Sequence, residues 1–193
     1  MYKKISILGN NELLSREQVY DSMFKSLKWS TRVKKEINSD FLKKNTKQKE
    51  LIYHPLWLAK LLVIADRKPF PPKKTPMIAF IDSISGYRGL LSKVPNIVKV
   101  KPAMNSKIRK PMITDSDEIK KYIIDVQKSQ INRSYVLKKP EYEIIDHFLV
   151  HLPLWKVTVD NSMLKQKFVI NANTGESEGH MASLWNTNKM KIK

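Results

Sequence analysis

One stretch occurs twice in this chain, and it constrains the fold more than any other feature. The first copy begins His54-Pro55-Leu56-Trp57, continues as an apolar run to Ile64, and resumes at Met77-Ile78-Ala79-Phe80-Ile81-Asp82-Ser83-Ile84-Ser85-Gly86. The second begins Leu152-Pro153-Leu154-Trp155, continues through Val159, and resumes at Phe168-Val169-Ile170-Asn171-Ala172-Asn173-Thr174-Gly175. Each copy reads Pro-Leu-Trp, a β-favouring run, a turn, a second apolar run and a glycine turn. Pro55 and Pro153 are 98 positions apart and Gly86 and Gly175 are 89 apart, a difference close to the length of a Pro/Lys-rich insertion in the first copy. Strand, turn, strand and Gly-closed turn is a hairpin signature.

The segments before each copy carry helix signals. Ser15 with Gln18 three places on is a capping box, and Val19, Met23 and Leu27 follow at helical spacing. Thr114-Asp-Ser-Asp-Glu118 supplies an N-cap and first-turn negative charge ahead of Ile119, Tyr122, Ile123 and Val126. The expected class is α+β: two tandem related units, each a helix packed on an antiparallel sheet, with a basic first unit over 1–110 and a near-neutral second over 111–193. Trp29–Val33 reads as β-favouring, and the lysine-dense 34–50 as an exposed strand or loop with helix as the alternative. Asp66–Pro76, with four prolines, reads as a stiff extended hairpin loop. The basic tail from Lys189 is expected to fray.

Charge is unevenly spread. Residues 1–110 hold 24 Lys/Arg against 8 Asp/Glu, a net +16 of the total +18. A basic half joined to a near-neutral one points to an anionic partner, with a solvated lysine surface as the plainer alternative. Only 6 of the 36 cations are Arg, which disfavours bidentate reading of guanine and leaves diffuse phosphate contact open. No apolar run approaches the ~18 residues of a membrane span. The first residues lack the apolar core of a signal peptide. The expected location is cytoplasmic as written, or extracytoplasmic if an export signal was trimmed. Zero cysteines exclude disulfides and thiolate metal sites.

The second copy, Trp155-Lys-Val-Thr-Val-Asp through Lys167-Phe-Val-Ile-Asn-Ala-Asn-Thr-Gly-Glu176, resembles the strand–turn–strand half of PepSY-type repeats, with their "VDAxTGE"-like ending. The helix from Ser116 fits that pattern, and Ile81–Gly86 keeps the turn in the first copy. Asn171 stands where those repeats usually carry an acid, and the Pro-rich insertion is foreign to them. The resemblance covers about half the chain. It implies a small, non-catalytic, cystatin-like α+β module of bacterial type, often in tandem and often outside the cytoplasm, with a regulatory or envelope role.

Catalytic signals are weak. His147 and His151 stand four apart, a metal-binding spacing on a helix, but the surrounding pattern is β, where four residues span about 13 Å. Asp82, Ser83 and Ser85 beside Gly86 are turn formers, and the second copy keeps the turn while losing the serine. A hydrolase built on His54, Asp82 and Ser85 is the enzymatic alternative. No phosphate-cradling or dinucleotide loop is present. Trp57 and Trp155 read as core, with a stacking platform for single strands as the alternative.

These features favour a non-enzymatic binding, adaptor or regulatory protein without a cofactor. Its basic first unit would contact an acidic protein or an anionic envelope surface. Sequence-nonspecific nucleic-acid binding is the alternative. The expected contact residues are Arg67, Lys68, Phe70, Lys73 and Lys74 on the Pro-rich loop, Tyr87 and Arg88 in the glycine turn, and Lys93, Lys99 and Lys101 beyond it. Exposed strand edges leave room for a homodimer.

Overall fold

A computed structural model describes residues 4–192. The class is mixed α+β, as expected, with a large, mostly antiparallel sheet and, among the described residues, five α-helices. In chain order the elements are β1 (Ile5–Leu8), α1 (Arg16–Ser26), α2 (Trp29–Arg32), α3 (Ser39–Lys44), β2 (Thr46–Arg67), β3 (Phe70–Asp82), β4 (Arg88–Leu91), β5 (Ile97–Val100), β6 (Ser106–Ile108), α4 (Ser116–Val126), β7 (Glu141–Asn161), β8 (Leu164–Asn171) and α5 (Gly179–Leu184). The sheet order is β4-β3-β2-β7-β1-β5, with β6 added to β2 and β8 to β7.

The two prolines of the duplicated stretch sit where a long strand changes its outer neighbour. Before Pro55, β2 pairs with β6 through Leu51–Tyr53; after it, β2 pairs with β3, starting at Leu56↔Asp82. Strand β7 meets β1 at His151 and then β8, starting at Leu154↔Asn171. A residue without an N–H is best tolerated at such a seam. The carbonyls there are still used: Pro55 O accepts from Ser83 N at 3.3 Å, and Pro153 O from Ala172 N at 2.9 Å.

By contacts the chain forms two compact units, each assembled from three segments. Unit 1 comprises Met1–His54, Ile97–Arg109 and His151–Ser183; unit 2 comprises Pro55–Asn96, Lys110–Val150 and Leu184–Lys193. In unit 1, Val19, Tyr20 and Met23 of α1 pack with Ile37 and Leu42 onto Val157, Val159, Phe168 and Ile170 of the β7–β8 hairpin. The capping box forms as read: Ser15 N donates to Gln18 Oε1 at 2.8 Å, and Gln18 N donates to Ser15 Oγ at 3.3 Å. In unit 2, Ile119, Tyr122, Ile123 and Val126 of α4 pack onto Ala59, Leu61, Val63, Ala79 and Ile81 of the β2–β3 hairpin. Asp115 caps α4, its carboxylate accepting from Glu118 N at 2.8 Å.

Four local expectations are corrected. Trp29–Arg32 is a helical turn with Trp29 77% exposed, and among the described residues no strand pairs with this segment. Residues 34–50 contain α3, capped by Asn38, and then the start of β2; Ile37 and Leu42 are buried by α1 and β8. The Pro-rich segment is the outer part of a continuous hairpin, paired from Leu56↔Asp82 out to Arg67↔Phe70 with a bulge at Ala65/Arg67. Its Lys68–Pro69 peptide is cis. The tail is pinned: Ile192 N donates to Tyr122 Oη at 3.1 Å, and Met190 O accepts from Arg88 Nη1 at 2.6 Å.

Candidate anion-binding arm and groove

Period-2 alternation decides what each face of the β2–β3 hairpin carries. Ala59, Leu61 and Val63 face α4, so Lys60, Leu62 and Ile64 face the other way, with their register partners Ile78, Pro76 and Lys74. Past the buried Ala65 and half-buried Asp66 the hairpin tip is a solvated arm. Arg67, Lys68, Phe70, Pro71, Pro72, Lys73 and Lys74 are all exposed, and Phe70 is 68% exposed. Five of the expected contact residues thus share one arm, four cations around an aromatic. Asp66, the acid of this segment, is already ion-paired to Lys138 at 2.7 Å. That hydrogen bond holds its carboxyl below the usual range and raises the lysine.

At the base of the arm the face turned away from α4 forms an open groove of about 790 Å³. Its walls are mainly aliphatic: Leu62, Pro76, Ile78, Leu91, Val94 and Ile145. Val94 is 82% and Ile145 60% exposed. Among the described residues, two cations line it, Lys60 and Lys93, and no acidic side chain does. Lys60 Nζ lies 5.4 Å from the centroid of the Phe148 ring. Of the ten expected contact residues, Lys93 alone lines this groove. Lys60 is not among those ten; its alternation with the α4-facing residues was the available signal.

The glycine turn is built for structure. Asp82 is fully buried; its Oδ1 accepts from Ile84 N at 2.9 Å, and its Oδ2 from Ser85 Oγ at 2.8 Å and Trp185 Nε1 at 3.0 Å. Gly86 closes the turn at φ 76°, and a Cβ there would stand 2.8 Å from the Tyr122 ring. Tyr87 packs edge-on against Phe80 at 5.7 Å. Arg88 is held by Asp125 at 2.7 Å and by the carbonyls of Gly86 and Met190, with its guanidinium 5.0 Å from the Tyr122 centroid. The second turn repeats this bonding with Asn171, whose Oδ1 accepts from Asn173 N at 3.0 Å and Thr174 N at 3.2 Å, and with Gly175 at φ 77°.

Unit 1 holds the other notable groups. Lys99 and Lys101 are exposed, on β5 and just after it. Lys49 lies 4.5 Å from the Trp155 centroid and 5.2 Å from that of Tyr20, beside Arg16. Burial, and secondarily the Arg16 charge, push its ammonium pKa down. His54 and His151 are buried, and His54 Nδ1 lies 3.3 Å from Arg109 Nη1. Burial pushes His151 down, against a hydrogen bond the ring donates to the Ser6 backbone carbonyl and with His54 adding repulsion. Ser85, the nucleophile of the enzymatic alternative, directs its hydroxyl hydrogen at Asp82. Among the described residues no three His, Cys, Asp or Glu side chains cluster to hold a metal ion, and no helix is long and apolar enough to cross a membrane.

Comparison with protein-family models, with curated proteins and with solved structures finds no match to this chain.

Proposed function

We propose that this is a non-enzymatic binding protein whose β2–β3 arm docks on an anionic partner, with an anionic envelope surface favoured. The observation that carries the reading is the arm itself: Arg67, Lys68, Lys73 and Lys74 exposed around Phe70, on a paired hairpin instead of a free loop. An exposed aromatic set among cations suits the boundary between headgroups and acyl chains. Each cation near an anionic leaflet contributes ~1 kcal/mol. The sequence motif of the second hairpin supports placing the chain near PepSY-type modules, whose implied role is likewise non-catalytic.

The test compares retention on heparin with retention on anionic and neutral vesicles, at ~50 and ~300 mM salt, a range over which phosphate contacts weaken steeply. Retention on anionic vesicles that falls with salt and is absent from neutral ones is the expected result. Equal retention on both kinds of vesicle removes the proposal. Retention on heparin and not on vesicles transfers the arm to a polyanion, nucleic acid included.

A further inference from the structure

We infer that the groove at the base of the arm is a binding site for a monomeric long-chain carboxylate, a free fatty acid. Its chain would lie along Leu62, Ile78, Leu91 and Ile145, and its carboxylate would meet Lys60 and Lys93. Three observations select this ligand. First, the volume of about 790 Å³ falls within the range of small-molecule sites, and the walls are aliphatic, which suits an alkyl chain better than a stacked base. Second, among the described residues the groove has two cations and no acid, so an occupant with one negative end is complementary. A second copy of this chain, at net +18, would bring like charge against those lysines.

Third, the adjacent sheet edge is closed to a peptide strand. β4 is the terminal strand of the sheet order, yet its polar groups are taken by a side chain: Leu90 N donates to Gln130 Oε1 at 3.2 Å, and Gln130 Nε2 donates to Arg88 O at 3.4 Å. An extended peptide adding to this edge would have to displace Gln130. What remains open is the face of the sheet, where an alkyl chain needs no backbone hydrogen bonds. Exposed aliphatic side chains such as Val94 and Ile145 mark the kind of contiguous patch that binding covers.

This site does not require the arm to meet a surface, although both lie on β2–β3, and the two are tested separately. The probe is a dansylated undecanoate, used below its aggregation concentration, with displacement by oleate and by oleyl alcohol. Saturable binding with blue-shifted emission is expected, with oleate displacing the probe better than the uncharged alcohol by roughly two- to thirtyfold, as two exposed charge pairs would give. Lys60→Glu with Lys93→Glu weakens the probe by at least about tenfold. Val94→Asp, at a side chain exposed enough to leave folding intact, weakens it as well. The proposal is overturned by absent saturable binding, or by equal affinity in wild type and both variants with native circular dichroism. Reversing Arg67, Lys68, Lys73 and Lys74 leaves probe binding intact while removing vesicle binding, so failure of one site is separable from failure of the other.

Discussion

Asp82 is a fully buried carboxyl side chain, and the donors around it satisfy both of its oxygens. With side-chain donors converging on Oδ2 and backbone donors on Oδ1, Asp82→Asn would turn an N–H₂ toward the Trp185 indole N–H, which cannot reverse its polarity. A loss of about 1–3 kcal/mol is expected, read as a shift of the urea midpoint. Asn171 manages with an amide because its Oδ1 meets only backbone donors. Two other groups, the buried His151 and the half-buried Glu178, shape the pH response. The folded pKa of His151 is depressed below the ordinary ~6.5, so its contribution to stability is present above that value and is lost as pH falls through the folded pKa. Repulsion from His54 lowers that pKa further. His151→Leu should therefore make the fall in stability from pH 7 to pH 5 shallower, by at most about 1.4 kcal/mol per pH unit, in urea titrations at each pH. Glu178 has the opposite sign. Burial raises its carboxyl against a hydrogen bond from Asn171, so its contribution is present at low pH and is lost as pH rises through the folded pKa. Glu178→Gln should raise the midpoint at pH 7 more than at pH 4.

Gln130 shows how an element's edge is managed: it occupies the outer hydrogen-bonding groups of β4 and so blocks edge-to-edge pairing there. Gln130→Ala is expected to speed hydrogen exchange at the Leu90 amide and to cost about 1 kcal/mol, with unchanged exchange counting against this role. Which elements could be read in advance follows from where their signals are local. The capping box of α1 and the Ile119–Val126 stripe of α4 are complete within a dozen residues, and both helices form as written. The glycine turns were legible because φ near 76° is a demand that glycine meets cheaply. The Pro-rich arm was not, because four prolines suggest a loop until register shows that Pro71, Pro72 and Pro76 lie on β3, with Pro69 in the turn before it. α3 was masked by its lysines; burial of Leu42 and Ile37 depends on α1 and β8, which are remote in sequence. Gln127–Ile131 forms a π-helical turn after α4, and nothing in QKSQI announces it. Five contact residues on the arm were legible as a basic, aromatic cluster. Lys60 and the groove were not, since the groove needs Lys93, Ile145 and Ile78 brought together from three strands or their flanks.

The whole molecule carries a net charge of +18, and the question is whether that charge acts through one place. Which helix covers which hairpin is beyond a pattern of apolar faces: α1 lies on β7–β8 and α4 on β2–β3, and neither packs on the hairpin that follows it in the chain. The consequence for function is that the basic arm emerges from a hairpin whose inner half is anchored by α4, so its exposed cations are held on a firm base. If the arm is the docking element, position matters as well as total charge. The deciding measurement is co-sedimentation with anionic vesicles of three proteins: wild type, a variant with Arg67, Lys68, Lys73 and Lys74 changed to Glu, and a charge-matched variant with the exposed Lys28, Lys34, Lys35 and Lys128 changed to Glu. At ~1 kcal/mol per cation, the arm variant should lose about a thousandfold in partitioning, while the charge-matched variant stays within about tenfold of wild type. Equal losses in the two variants would contradict the account, because binding would then follow net charge and not the arm.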